Sequence, residues 1–281
     1  MAALTSSDIE SYKQNGCICL RNVFSSDWIE KIKIGIQKNK ENPGVYSENL
    51  RGSEGSGKYF NDYCNWRSIS EFEEFALYSP AAEIVGELLE TKKVGFYHEH
   101  VLTKDQDTYK VTPWHMDQSY YPIDGEKVCS IWLPVDNIPL ISSLQFVKGS
   151  HRWGKWFYPR KFATSLNYNI SKAHATKAFE DVPDIDGGDY EIMSWEVQPG
   201  DAVIFHMKTL HGAPMHLSTT APRRILSTRW LGDDAVIAER QWEISPPMMP
   251  DIAVGQSAIC EEFPLVWTLE NGKIPIHSRS M

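Results

Sequence analysis

The chain has 281 residues, 42% hydrophobic and 23% charged, an ordinary balance for a globular fold. Its formal charge of −9 argues against nucleic acid or an anionic membrane as the main partner, and no apolar run is long enough to span a bilayer. The five cysteines (Cys17, Cys19, Cys64, Cys129, Cys260) contain no CxxC pair, which fits reduced thiols better than a disulfide frame or zinc knuckle.

Thr5-Ser6-Ser7-Asp8 supplies oxygen-bearing caps for a first helix, which Asn15-Gly16 ends. Cys17-Ile18-Cys19-Leu20 reads as a short strand. Ser25-Ser26-Asp27 caps a second helix whose apolar stripe is Trp28, Ile29, Ile32 and Ile36. Residues 42–57 are rich in Gly, Ser and Asn and predict a surface loop. The spacing over 72–89 is helical, with a second segment starting at Ser79-Pro80.

From residue 93 the period changes to two. Val94, Phe96, His98, His100 and Leu102 alternate and predict a strand. Further strands are expected over 128–135, 144–147, 191–197, 202–207 and 225–231, the third and fourth of these around a Pro199-Gly200-Asp201 turn. Residues 155–189 are irregular and polar, an insertion in the expected β core. The proline-rich last stretch, about 236–281, reads as an extended tail wrapping the domain, with Trp267 as a possible dimer contact.

Helices first and many short strands after imply an α+β arrangement around an antiparallel sandwich or barrel. The expected organisation is one domain over 1–281, with a helical part over about 1–92 and a β core over about 93–235. The polar N-terminal stretch is no leader peptide and the final residues are no Ser-Lys-Leu address, so the expected compartment is the cytoplasm. The expected state is a monomer or homodimer.

The chemistry centres on Trp114-His115-Met116-Asp117-Gln118. In an extended segment, side chains at i and i+2 point the same way, so an imidazole and a carboxylate converge. A second imidazole would complete a two-His, one-carboxylate face suited to non-haem Fe(II) with open positions. His211, after the apolar strand Val203-Ile204-Phe205 and before Gly212, is the candidate. Arg223, Arg224 and Arg229 follow, and an arginine fork there can bind a carboxylate through two bonds. Tyr120 and Tyr121 suggest an aromatic mouth.

Rival histidines are read as structural. His98 and His100 are a same-face pair, but the Glu expected downstream in a cupin-like site is missing, with Lys104 and Asp105 there instead, so they are taken as strand residues. His206 reads as a packed strand histidine and His151 as a brace for the turn it follows. His174, His216 and His277 read as surface residues. The basic run Arg152, Lys155, Arg160 and Lys161 reads as a solvated face, with a seat for a substrate anion as the sharper alternative.

Four features together resemble the phytanoyl-CoA dioxygenase-like Fe(II)/2-oxoglutarate oxygenases, over roughly residues 5–235. They are the Trp-His-x-Asp-Gln run at 114–118, LQFVKGSHRWG at 144–154, Pro199-Gly200-Asp201 leading to His211-Gly212-Ala213, and PRRILSTRW at 222–230. The resemblance implies a mainly β fold, a double-stranded β-helix (jelly roll) with flanking helices. It implies iron ligands at His115, Asp117 and His211 and a 2-oxoglutarate clamp at Arg223. Secondary co-substrate contacts fall at Trp132, Ser143 and Lys104, and pocket aromatics at Tyr120, Tyr121 and Trp230. The implied reaction uses O2 and 2-oxoglutarate to hydroxylate or desaturate a small molecule, releasing succinate and CO2. This chain departs from the pattern at Met116, where many members have Gln, and at Ile141-Ser142-Ser143, where many have Glu-Asn-Gly. Two other readings stay open: a silent family member that only binds, and a cupin-like metalloenzyme that does not use 2-oxoglutarate.

Overall fold

The computed structural model describes residues 4–51, 57–170, 177–216 and 221–273. Helix α1 (Ser6–Asn15) begins where the sequence places its caps. Thr5 Oγ1 accepts from the Asp8 amide at 3.1 Å, and the Asp8 carboxylate accepts from the Thr5 amide at 2.9 Å. It ends at Gly16, whose φ of 77° is left-handed. A Cβ there would lie 2.2 Å from His151 Nδ1, so glycine is required twice over. Strand β1 (Cys17–Leu20) leads to α2 (Ser26–Glu41), which buries Ile29, Ile32 and Ile36. Ser25 occupies its N-cap position but makes no side-chain capping bond.

The stretch expected as a loop contains β2 (Glu48–Arg51), which pairs with β3 (Lys58–Tyr63). Its Gly- and Ser-rich composition describes the connection between two strands, part of which lies outside the described residues. The helical spacing over 72–89 resolves into α3 (Ser70–Tyr78) and α4 (Ala81–Leu88), broken at Ser79-Pro80 as expected.

The main sheet runs β1, β10 (Ala202–His206), β7 (Val128–Pro134), β12 (Arg223–Leu231), β4 (Lys93–Lys104), β14 (Leu265–Thr268) and β15 (Gly272–Lys273), with β3 also pairing with β4. A second sheet runs β5 (Thr112–His115), β11 (His211–Ala213), β8 (Gln145–Val147) and β9 (Ile192–Met193). The pair β6 (Ile123–Asp124) and β13 (Val236–Ile237) lies apart. These large antiparallel sheets with helices outside make the double-stranded β-helix expected from the sequence. Among the described residues they do not close into a barrel.

Alternation sorts each central strand between two cores. Cys129, Ile131, Leu133, Ile204, Leu226 and Trp230 pack towards the helices. Trp132, Val203, Phe205 and Ile225 pack against Phe146 and Ala213 of the second sheet. The site lies between the sheets.

Strand β4 breaks the simple alternation. Arg229 pairs with His98 and Trp230 with Phe96, so Tyr97 is an extra residue, a β-bulge. The bulge flips the side-chain parity. Val94 and Phe96 join the helix-side core, while His98 and His100 turn inwards. The run that reads as one face in sequence is therefore two faces in space.

Two other expectations change. The tail is not merely extended: β14 joins the main sheet beside β4. Its Trp267 is buried against α4, where a Cβ at Gly86 would lie 2.5 Å from the indole. It is therefore not available as an exposed dimer contact. The strand expected over 191–197 shrinks to β9, with Val197 making an isolated bridge to Ile138.

Candidate active site

The second sheet builds the centre. His115 ends β5 and stands directly opposite His211 at the start of β11, with ring centroids 4.2 Å apart. Met116 is extended, and Asp117 opens a short 3-10 turn (Asp117–Tyr120). Asp117 Oδ1 thereby comes 3.5 Å from His115 Nε2 and 3.7 Å from His211 Nε2. One ligand atom from each of the three residues lies within 4.8 Å of the others, and all three are buried.

Hydrogen bonds decide which atoms face that point. His115 Nδ1 lies 2.7 Å from the Pro113 carbonyl, and His211 Nδ1 lies 3.0 Å from the Thr209 carbonyl. Carbonyls only accept, so each Nδ1 carries the proton and each Nε2 offers a lone pair. For His211, burial and then the nearby His115 ring push the pKa down to about 3, which keeps the lone pair free. Asp117 Oδ2 accepts from Ser130 Oγ at 2.6 Å and Arg229 Nη2 at 3.3 Å, which leaves Oδ1 to the imidazoles. Burial works against the Asp117 charge. The Arg229 guanidinium outweighs it and holds the carboxyl well below its usual range. Two neutral nitrogens and one carboxylate oxygen are the donor set of a facial Fe(II) site, so the residues fit that metal.

Met116 points away from this point. Its thioether accepts the Phe157 amide at 3.3 Å, and Trp114 Nε1 donates to Asp186 at 2.9 Å. The residues around the His-x-Asp run thus tie the 155–189 insertion down beside it.

A narrow cleft between the sheets runs from the three ligand atoms past Trp132, Leu144 and Phe205 to Arg223. Arg223 is buried, and its Nη1 donates to the Ser142 carbonyl at 2.6 Å. Its Nε has no partner, and it forms no ion pair among the described residues. Burial lowers the guanidinium to about 10, so it stays cationic at neutral pH. A buried cation with an unused donor at the end of a cleft fits a carboxylate. Strand parity separates the alternatives: Arg224 faces outwards and pairs with Asp136 at 2.6 Å, and Arg229 is committed to Asp117 and to Tyr121 Oη.

The other expected residues divide. Trp132 lines the cleft, and Tyr120 and Tyr121 line a larger cavity of about 360 Å³ on the other side of Asp117. Ser143 is buried beside Ser142, but its hydroxyl has no partner and does not line the cleft. Lys104 is buried opposite Arg223, with Nζ donating to the Lys110 and Pro214 carbonyls outside the cleft. Trp230 lies on the helix side, its Nε1 bonded to Thr228 Oγ1 and its ring 4.9 Å from Phe96. The basic run splits as well: Arg160 and Lys161 line the cavity, whereas Lys155 pairs with Glu180.

Among the histidines, His206 packs in β10 with Nε2 2.8 Å from the Glu126 carbonyl. His151 braces the end of α1 through the Lys13 carbonyl. His216, expected at the surface, is buried and pairs with Thr108. His174 and His277 lie outside the described residues. Residues not singled out for the site include Ser130, Asn61 and Phe162, and also His98 and His100, which line the cavity. The strand run gave the histidines' face, and only the bulge gives its direction.

This fold and donor set define the class of Fe(II)/2-oxoglutarate-dependent oxygenases. The phytanoyl-CoA dioxygenase (PhyH) family model matches residues 12–225. The chain belongs to that family. It is 21% identical over 285 residues to a probable phytanoyl-CoA dioxygenase of Caenorhabditis elegans, covering 91% of this chain and 88% of that protein. In structure it is similar to SnoK, a non-haem α-ketoglutarate-dependent carbocyclase from nogalamycin biosynthesis. The TM-score is 0.72 and the identity 18%, with 93% of this chain and 96% of that one covered. It is also similar to EctD from S. alaskensis solved with 2-oxoglutarate and 5-hydroxyectoine. There the TM-score is 0.65 and the identity 15%, with coverages of 92% and 86%. No helix among the described residues is long and apolar enough to cross a membrane.

Proposed function

We propose that this oxygenase hydroxylates, or desaturates, an aliphatic C–H bond of a small molecule while 2-oxoglutarate becomes succinate and CO2. The observation that carries this reading is that the two spaces meet at Asp117: Asp117, His100, Phe162 and Arg229 line both the Arg223 cleft and the larger cavity. Co-substrate and substrate thus have separate approaches to one metal.

In this reading His115 and His211 hold the metal through Nε2, and Asp117 holds it through Oδ1. Ser130 and Arg229 occupy Oδ2, which keeps Asp117 to a single bond and leaves coordination positions open. Arg223 pairs with the far carboxylate of 2-oxoglutarate and fixes its orientation. Trp132, Leu144 and Phe205 keep water from the cleft, and Tyr120 and Tyr121 wall the substrate side. Fe(II) with 2-oxoglutarate, when bound, supplies the oxygen activation and C–H cleavage. We further propose that residues 1–281 act as one domain around this centre.

The test is anaerobic titration of the metal-free protein with Fe(II) and 2-oxoglutarate, followed by the visible band of the chelate. The band is expected in the wild type and absent in His115→Ala. Iron without a band would point to a metalloenzyme that does not use 2-oxoglutarate, and no iron to a protein that only binds.

A further inference from the structure

The β4 wall of the larger cavity carries a group that the roles above leave unused. His98 is buried, and its Nδ1 lies 3.0 Å from the Glu99 carbonyl. That carbonyl can only accept, so Nδ1 holds a proton. Burial, and next the Arg229 guanidinium, keep the ring neutral, with its pKa lowered to about 3. A neutral imidazole has one N–H, so Nε2 is a bare acceptor. Among the described residues it is buried without a partner, on a residue that lines the cavity. Leaving such an acceptor unpaired is costly, and a ligand that donates to it removes the cost.

His100, two residues on, is set in the same sense. Its Nε2 lies 3.1 Å from Asn61 Oδ1, while Asn61 Nδ2 donates to the Glu48 carboxylate at 3.2 Å. The carboxylate orients the amide, so Oδ1 faces His100 and Nε2 holds the proton. Burial and then Arg229 keep this ring neutral too, which leaves Nδ1 as an acceptor. Two of the nearby donors already have acceptors: Arg229 bonds Asp117 and Tyr121, and the Tyr120 hydroxyl donates to the Arg160 carbonyl.

The matching ligand group is a donor, and charge selects its kind. Arg160, Lys161 and Arg229 line the cavity against Asp117 and Glu48, and Asp117 is already paired with Arg229. A divalent metal at Asp117 adds to the positive side. An ammonium donor is disfavoured here, whereas a hydroxyl carries no charge penalty. A cavity of about 360 Å³ lies at the small end of ligand sites, room for a small molecule or one arm of a larger one.

We infer that His98 is a specificity-determining residue, and that the substrate is a polyhydroxylated small molecule with one hydroxyl donating to His98 Nε2 and another near His100. The substrate's purpose in the cavity rests on the oxygenase reading above; the state of the ring does not.

The test uses histidine 15N NMR of the metal-free full chain, with the His98 signals assigned by their loss in His98→Phe. The probes are glycerol, xylitol and myo-inositol, each against its fully O-methylated counterpart, with ethanolamine as the amine. His98 is expected to show Nδ1 protonated and Nε2 bare, with Nε2 shifting on addition of polyol and not of ether. His98→Phe should weaken polyol binding about tenfold, the loss of one hydrogen bond, and His98→Gln should restore part of it. A protonated Nε2, ethers or amine binding as tightly as polyols, or no polyol moving the signal would each overturn the inference. If the folding of His98→Phe is impaired, the wild-type signals and the ether comparison still decide. Failure of the Fe(II)–2-oxoglutarate band in the wild type would instead overturn the oxygenase reading and leave the His98 result standing.

Discussion

Arg223 and Arg224 are adjacent in the chain and lie on opposite faces of β12. Arg224 points outwards, partly exposed, and its fork is satisfied by Asp136 through two bonds of 3.0 and 2.6 Å. Arg223 points inwards, buried, with one bond to a carbonyl and an unused Nε. One is a surface ion pair, whose usual worth is under about 1 kcal/mol. The other is a desolvated cation awaiting an anion. Six residues on, Arg229 shares the inner face but is already committed to Asp117. The residue type is the same at these three positions, and what each arginine can do is set by parity and partners.

The sharpest way to break the comparison is at its far end. Asp117→Ala removes the only carboxylate of the centre and should abolish 2-oxoglutarate decarboxylation, measured as succinate formed; substantial residual succinate would mean the ligand set is wrong. Next comes the pair itself. Arg223→Ala should raise the KM for 2-oxoglutarate about 100-fold, since truncating one side of a buried charge pair costs about 2–5 kcal/mol. Arg224→Ala should leave that KM unchanged and lower stability by about 1 kcal/mol or less. Equal effects of the two on KM would sink the parity argument. Arg229→Met should sit between, weakening iron about 10- to 100-fold by loosening Asp117 while sparing the KM for 2-oxoglutarate at saturating iron. Iron-dependent quenching of tryptophan fluorescence would read it.

How far the sequence reveals this site depends on whether a residue acts through its own strand or through another. His115 and His211 are legible because each sits at a strand end, His211 before a glycine, and Asp117 because i, i+2 spacing through an extended Met116 carries geometry. The resemblance points to Arg223 rather than Arg224, and in the structure Arg223 is the one of the two that faces inwards. Trp230 looked like a pocket aromatic in the same run, yet odd and even positions on β12 go to different cores. The hidden parts are those made by pairing between distant segments. The bulge at Tyr97 exists only relative to β12, so nothing in Val94 to Leu102 announces that His98 turns inwards and Phe96 does not. Strand β2 lay unseen in a Gly- and Ser-rich stretch because four polar-leaning residues become a strand only when β3 offers an edge. His216 looked exposed because a lone polar residue near a turn carries no sign of burial.

The last prediction concerns a histidine outside the site and contrasts with those inside it. His206 gives Nε2–H to the Glu126 carbonyl and accepts the Lys208 amide at Nδ1 at 3.0 Å, so both nitrogens are used by the neutral ring. Burial, then the neighbouring His151 and Lys208, lower its pKa from 6.5 to about 3. The unfolded chain therefore binds this proton first as pH falls. The contribution is complete above about pH 6.5 and is lost as pH drops towards 3, at no more than about 1.4 kcal/mol per pH unit. His206→Gln cannot take up that proton. Its stability, measured by urea unfolding at pH 7, 6 and 5, should fall less steeply than that of the wild type, whatever its value at pH 7. Parallel curves would mean that His206 is protonated in the fold, and the Lys208 amide would then have lost its acceptor.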